Sequence, residues 1–190
     1  MVLRHALSPI GLLFCVGLLS GCKREDSQVY YAPREKPPTE TAALPAPLWT
    51  VPSGWQEMPA SEFLLAKFLI QGGGDARAEV NVSLLAGEGG GVLANVNRWR
   101  GQLGLDPLKN EMELAHLNPT VDLPGGGQMT LVDFTGTDAK TGKPARLIGV
   151  ILPLAGQTWF YKLMGDEQIV GQQKEAFTKF IQSAKYPNVR

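Results

Sequence analysis

The chain has 190 residues, 44% of them hydrophobic and 8% aromatic, with 18 basic and 18 acidic side chains and a formal net charge of zero. That length suits one domain with appendages, and the apolar share is enough to fill a core. Without a basic excess, a nucleic-acid partner is excluded, because such a partner needs a basic face. At the N-terminus, Arg4 and His5 precede a mostly apolar run over residues 10–21. The run is shorter than the roughly 20 residues that cross a bilayer, so residues 1–21 read as an export signal.

The run ends in Leu19, Ser20, Gly21 and Cys22, which resembles the bacterial lipobox. That resemblance implies cleavage before Cys22 and attachment of a diacylglycerol to its sulfur. The cysteine count agrees, since Cys15 leaves with the signal and the mature chain keeps one thiol, too few for an internal disulfide. One acyl chain holds a membrane only marginally and two hold it stably, so the membrane is the first expected partner, reached through the anchor. Charge does not assist: losing Arg4 leaves acidic side chains one ahead of basic ones. The expected location is the cell envelope, lipid-anchored to a membrane facing the periplasm, with inner and outer membrane both open.

Residues 22–47 follow as a tether. Pro33, Pro37, Pro38, Pro45 and Pro47 stand among Glu, Thr, Ala and Lys, which prevents helix and cannot build a core. As a flexible coil the segment spans roughly 25 to 30 Å, enough to lift a domain off headgroups.

The folded domain is expected over residues 48–190. Residues 61–71 are apolar and ambiguous between helix and strand, and Gly72, Gly73, Gly74 and Asp75 follow as a turn. Over residues 76–85, Ala78, Val80, Val82 and Leu84 alternate with Arg77, Glu79, Asn81 and Ser83, a half-buried strand that favours a hairpin with the preceding run. After "GEGGG", Val92, Val96, Trp99 and Leu103 recur at helical spacing and predict an amphipathic helix ending near Gly104 and Pro107. Strands are predicted over residues 128–135 and 146–152, joined by "DAKTGKPA", and another over residues 158–164. Ile169, Val170, Gln173, Ala176, Phe177, Phe180, Ile181 and Ala184 share one face of a closing helix. Strands in hairpins with two amphipathic helices predict an α+β fold: an antiparallel sheet on which both helices pack.

Three stretches, "PSGW" at 52–55, "ANVNRWRGQLGL" at 94–105 and "TWFYKLMGD" at 158–166, resemble a family of uncharacterised bacterial secreted or lipid-anchored proteins. The element order is similar to the Mog1/PsbP-like fold, an analogy that implies architecture and not activity. No catalytic residue comes with either resemblance.

Any chemistry must therefore be carried by individual residues. No G-x-S-x-G surrounds a serine, and His116 has no nucleophile motif beside it. Glu111 and Glu113, two apart, would share a face of a strand and could attract a cation, but one His and two carboxylates are a thin ligand set, so neither a metal nor another cofactor is expected. The glycines before the first helix could cradle an anion, yet they lack the Lys and Ser or Thr of a P-loop. The better contact surface is the helix face away from the apolar stripe, with Asn97, Arg98 and Gln102 as binding residues. Two functions are expected from these readings: a non-enzymatic binding or accessory module for an envelope protein partner, or an envelope hydrolase built on Glu111, Glu113 or Asp133.

Overall fold

The structure, a computed structural model, describes residues 47–117, 120–122 and 128–186. The signal, Cys22 and all of the tether but Pro47 lie outside the described residues. Seven strands form one antiparallel sheet: β1 (Trp55–Met58), β2 (Ala66–Gln71), β3 (Arg77–Ala86), β4 (Thr120–Asp122), β5 (Gln128–Thr137), β6 (Pro144–Leu154) and β7 (Gln157–Asp166), in the order β1-β2-β3-β7-β6-β5-β4. Helices α1 (Val92–Gln102), α2 (Glu111–Leu117) and α3 (Glu167–Gln182) complete an α+β fold.

Local chemistry sets the turns. Between β6 and β7 only Ala155 and Gly156 intervene, at φ 53° and 74°, the positive pair that a two-residue type I′ hairpin requires. Between β5 and β6, Asp138 Oδ1 accepts from the backbone N–H groups of Lys140 (2.8 Å) and Thr141 (2.9 Å), an Asx turn. The glycine-rich entry to α1 has φ near +59° at Gly87 and Gly89, +88° at Gly90 and +84° at Gly91, which explains its composition. Asn95 then donates to Gly89 O (2.9 Å) and Gly91 O (2.6 Å), so this loop turns carbonyls toward a side chain of its own helix.

The two amphipathic helices pack on opposite faces of the sheet. On one, Ile169, Val170, Phe177, Phe180 and Ile181 of α3 meet Phe68 and Ile70 of β2, Val80 and Val82 of β3, Ile148 and Val150 of β6, and Tyr161 and Leu163 of β7. On the other, Val96, Trp99 and Leu103 of α1 meet Val132, Phe134, Leu147, Ile151 and Phe160. Strand alternation makes this possible, because β6 and β7 sit mid-sheet and offer apolar side chains both ways.

The structure departs from the sequence reading around residues 109–117. Glu111 and Glu113 lie on α2, a third helix, and not on a strand, so they do not share a carboxylate face. Its start is capped reciprocally: Glu113 N–H donates to Asn110 Oδ1 (3.0 Å), and Lys109 N–H donates to Glu113 Oε2 (2.8 Å). Of residues 61–71, only Ala66–Gln71 is strand. The short strands β1 and β4 add edges that the pattern did not separate from loop.

Candidate functional site

Two of the three helix residues expected to bind share a wall, and the third does not. Asn97 faces the returning chain, donating to Leu108 O (2.9 Å) and accepting from Leu108 N–H (2.7 Å), so its amide fastens the segment after α1. Arg98 is exposed, and its guanidinium donates to Asn95 Oδ1. Gln102, one turn on, accepts through Oε1 from Lys162 Nζ (2.9 Å). Arg100 donates to Asp106 O (2.7 Å) and lies 5.0 Å over the Phe134 ring.

Arg98, Gly101 and Gln102 form one wall of a cleft of about 1280 Å³. Its floor is the part of the sheet that α1 leaves open, with Glu79 and Asn81 of β3 and their cross-strand partners Met164 and Lys162 of β7. The β5–β6 turn, with Lys140 and Thr141, supplies another wall. Backbone bonds fix these walls together: Thr137 N–H donates to Leu103 O (2.9 Å), and Ala139 N–H donates to Gln102 O (2.9 Å). Gly136 permits this approach, since a Cβ there would lie 2.5 Å from Leu103 O. A shallower depression of about 560 Å³ along α3 is lined only by residues of that one helix, such as Lys174 and Lys179, and has no sheet floor.

The cleft is lined by five basic side chains, Arg77, Arg98, Lys140, Lys143 and Lys162, and four acidic ones, Asp75, Glu79, Asp138 and Asp166. Burial pushes the Lys162 amine below its ordinary pKa, Glu79 partly opposes this, and the charges of Lys140 and Arg98 add to it. None of the ion pairs among the described residues includes Lys162, Arg98 or Lys140. Three of the acids nearby have closer partners of their own. Glu79 pairs with Lys67 (3.2 Å), Asp138 closes its own turn, and Asp166 caps α3 by accepting from Gln168 N–H (3.0 Å) and Ile169 N–H (3.2 Å). Asn81 Oδ1 is buried with no hydrogen-bond partner.

Sequence reasoning missed Lys162, Asn81 and Lys140. The signal for Lys162 was present, a lone cation inside the apolar strand "TWFYKLM", but alternation alone does not say which face of a central strand stays open.

The carboxylates considered for hydrolysis do not converge. Glu113 caps α2, Glu111 and His116 are exposed on that helix, and Asp133 sits on the α3 side of the sheet. Asp133 takes a bidentate pair from Arg146 (2.7 Å to each oxygen) and a bond from Lys174 (2.8 Å). Burial raises its pKa, but the hydrogen bonds and charges of Arg146 and Lys174 outweigh that and hold the carboxyl below its ordinary value. A depressed carboxylate stabilises the fold above its unfolded pKa, near 3.9, and that contribution disappears as pH falls through the lower folded value. Asp133→Asn is therefore expected to cost about 1 to 3 kcal/mol at pH 7. In urea melts the gap from the parent should close as the pH drops below about 3.9, and a gap independent of pH would contradict the pairing.

Among the described residues no group of three or more His, Cys, Asp or Glu side chains is placed to hold a metal, and no helix is long and apolar enough to cross a membrane. No family model and no curated protein matches the chain. Among solved structures, it is similar to PA94 of Pseudomonas aeruginosa, a protein of unknown function, at 16% identity and a TM-score of 0.44, over 72% of this chain and 99% of that one. It is also similar to LpqN of Mycobacterium tuberculosis, which is involved in cell envelope biogenesis, at 15% identity and a TM-score of 0.44, over 73% of this chain and 82% of that one. A protein from Bacteroides thetaiotaomicron matches at 12% identity and a TM-score of 0.44, over 74% of this chain and 44% of that one. None of these likenesses carries an activity to this chain.

Proposed function

We propose that the protein is a lipid-anchored module of the bacterial cell envelope that binds a partner through the cleft between α1, the β3–β7 floor and the β5–β6 turn, and that it acts without catalysis. The observation that carries this reading is the cleft itself: a concave polar surface whose walls are fixed by backbone bonds and whose Lys162, Arg98 and Lys140 are in none of the ion pairs among the described residues. The motif ending at Cys22 and the proline-rich segment after it support tethering at a membrane surface. The resemblance of "PSGW", "ANVNRWRGQLGL" and "TWFYKLMGD" to secreted and lipid-anchored bacterial proteins points the same way.

Mass spectrometry of the mature protein should find a diacylglycerol on an N-terminal Cys22, and Cys22→Ala should leave the membrane fraction. An unmodified N-terminus elsewhere, or a Cys22→Ala chain that still fractionates with membranes, would remove the anchor from the proposal. The cleft is tested by Gly101→Trp. Nothing lies within 4 Å of a Cβ at Gly101, so the indole enters the cleft without displacing the fold. A partner captured stoichiometrically from crosslinked envelopes should be lost with this variant; capture that is unchanged, with the fold intact, places the contact elsewhere.

A further inference from the structure

The cleft also specifies a ligand chemistry, an inference that rests on the binding reading above. Lys162 on the floor, Arg98 on the helical wall and Lys140 on the turn all line this one space. Lys162 and Arg98 donate to neutral amide oxygens, those of Gln102 and Asn95, and neither is in an ion pair among the described residues, so an incoming anion meets no carboxylate already bound to them. Of the acids on the lining, Glu79 pairs with Lys67, Asp138 closes its turn and Asp166 caps α3, and together with Asp75 they leave the five basic side chains Arg77, Arg98, Lys140, Lys143 and Lys162 one charge in excess. Cations on the floor, the helix and the turn around one space suit an anion whose oxygens point in several directions, as those of a tetrahedral phosphate group do.

Asn81 adds a neutral element. It pairs directly across the strands with Lys162, and its Oδ1 is buried without a hydrogen-bond partner, so the amide is not locked in one orientation by a bond to that oxygen. Toward an ionised phosphate, whose oxygens accept, the amide contributes its Nδ2 donor.

We infer that the cleft binds a phosphate-bearing ligand, held by Lys162, Arg98 and Lys140 with the Asn81 amide beside it. The phosphate is that of a small soluble ester or that of a phospholipid headgroup, and the two sources are separable.

The test uses the mature chain carrying Cys22→Ala, which has no lipid of its own. Titration calorimetry with sn-glycerol 3-phosphate, and with glycerol as the uncharged control, reads the soluble source. Co-sedimentation with phosphatidylglycerol vesicles against phosphatidylcholine vesicles reads the headgroup source. Binding of glycerol phosphate but not glycerol is the first expected result; preference for phosphatidylglycerol vesicles without soluble binding would assign the headgroup. In either case Lys162→Met and Asn81→Ala should each weaken binding by about tenfold, and Gly101→Trp should abolish it. Lys162→Met should leave the melting temperature unchanged or raised, because it removes a charge that burial disfavours; this separates a binding role from a structural one. No binding of glycerol phosphate and no vesicle preference would overturn the inference, as would binding indifferent to Lys162→Met. Phosphate binding with no captured envelope protein would instead overturn the protein-partner reading and leave this one standing.

Discussion

Trp99→Ala is expected to destabilise the domain by about 3 to 5 kcal/mol, a large share of a total stability of roughly 5 to 15. Trp99 is 5% exposed and meets Phe160 edge-on, with ring centroids 6.3 Å apart and planes at 88°. Its six-membered ring lies directly over Gly149 of β6, where a Cβ would come within 2.3 Å of it. The strand therefore has a glycine at its centre so that the helix can seat a tryptophan. A double-mutant cycle follows from this geometry. In the parent, Gly149→Ala overpacks the site and should cost about 1 to 3 kcal/mol; in the Trp99→Ala background the same methyl enters a cavity and should be neutral or stabilising, giving strong coupling in urea melts. Arg98→Ala, one residue earlier and exposed, should shift stability by no more than about 0.5 kcal/mol. Equal losses at the two positions would contradict the helical phase, and additive effects at Trp99 and Gly149 would contradict the contact.

The helical phase is what the sequence discloses best. Val96, Trp99 and Leu103 are buried where a period of 3.6 puts them, and the residues of α3 obey the same rule. The hairpins of β2–β3 and β5–β6 were legible because glycines and an Asp-x-x-x-Gly turn separate runs of alternating side chains. What the pattern could not disclose depends on chain segments far apart. Asn97 lies off the apolar stripe and reads as solvent-facing, but the chain returns at Leu108 and takes both its amide atoms. Helix α2 has seven residues, too few for a periodic signal, so Glu111 and Glu113 read as strand neighbours and the capping role of Glu113 with Asn110 is not visible. The cleft is a consequence of α1 covering only part of one sheet face, and helix position over a sheet is a tertiary fact. Arg98 and Gln102 were identified from one helix; Lys162, Lys140 and Asn81, which complete their surroundings, come from strands and a turn whose neighbours only the fold defines.

On the opposite face, Phe180→Ala is expected to cost about 3 to 5 kcal/mol. Phe180 is 1% exposed and its ring centroid lies 5.2 Å from Trp55, 5.3 Å from Trp49, 5.5 Å from Phe68 and 6.1 Å from Tyr161. Contacts of this kind add about 0.5 to 1.5 kcal/mol per pair beyond area burial, so the position holds more than its volume suggests. It also has a directional consequence. Strand β1 has only four residues and pairs with β2 alone, so its attachment depends on Trp55, which stacks near Phe180 and donates from Nε1 to Gln173 Oε1 (2.9 Å) on the same helix. Strands β6 and β7 are paired on both sides and do not depend on that ring for their hydrogen bonds. Hydrogen exchange on Phe180→Ala should therefore show protection lost first in Trp55–Met58 and around the Leu48–Lys185 bridge, while β6 and β7 keep theirs up to the limit set by global unfolding. Phe180→Leu, which keeps much of the apolar volume but none of the ring contacts, should cost less than Phe180→Ala and restore part of the protection of β1. If the loss of protection were instead uniform across the sheet, β1 would be held by its ladder and not by the aromatic cluster, and Trp55 would be packing against α3 without anchoring the edge.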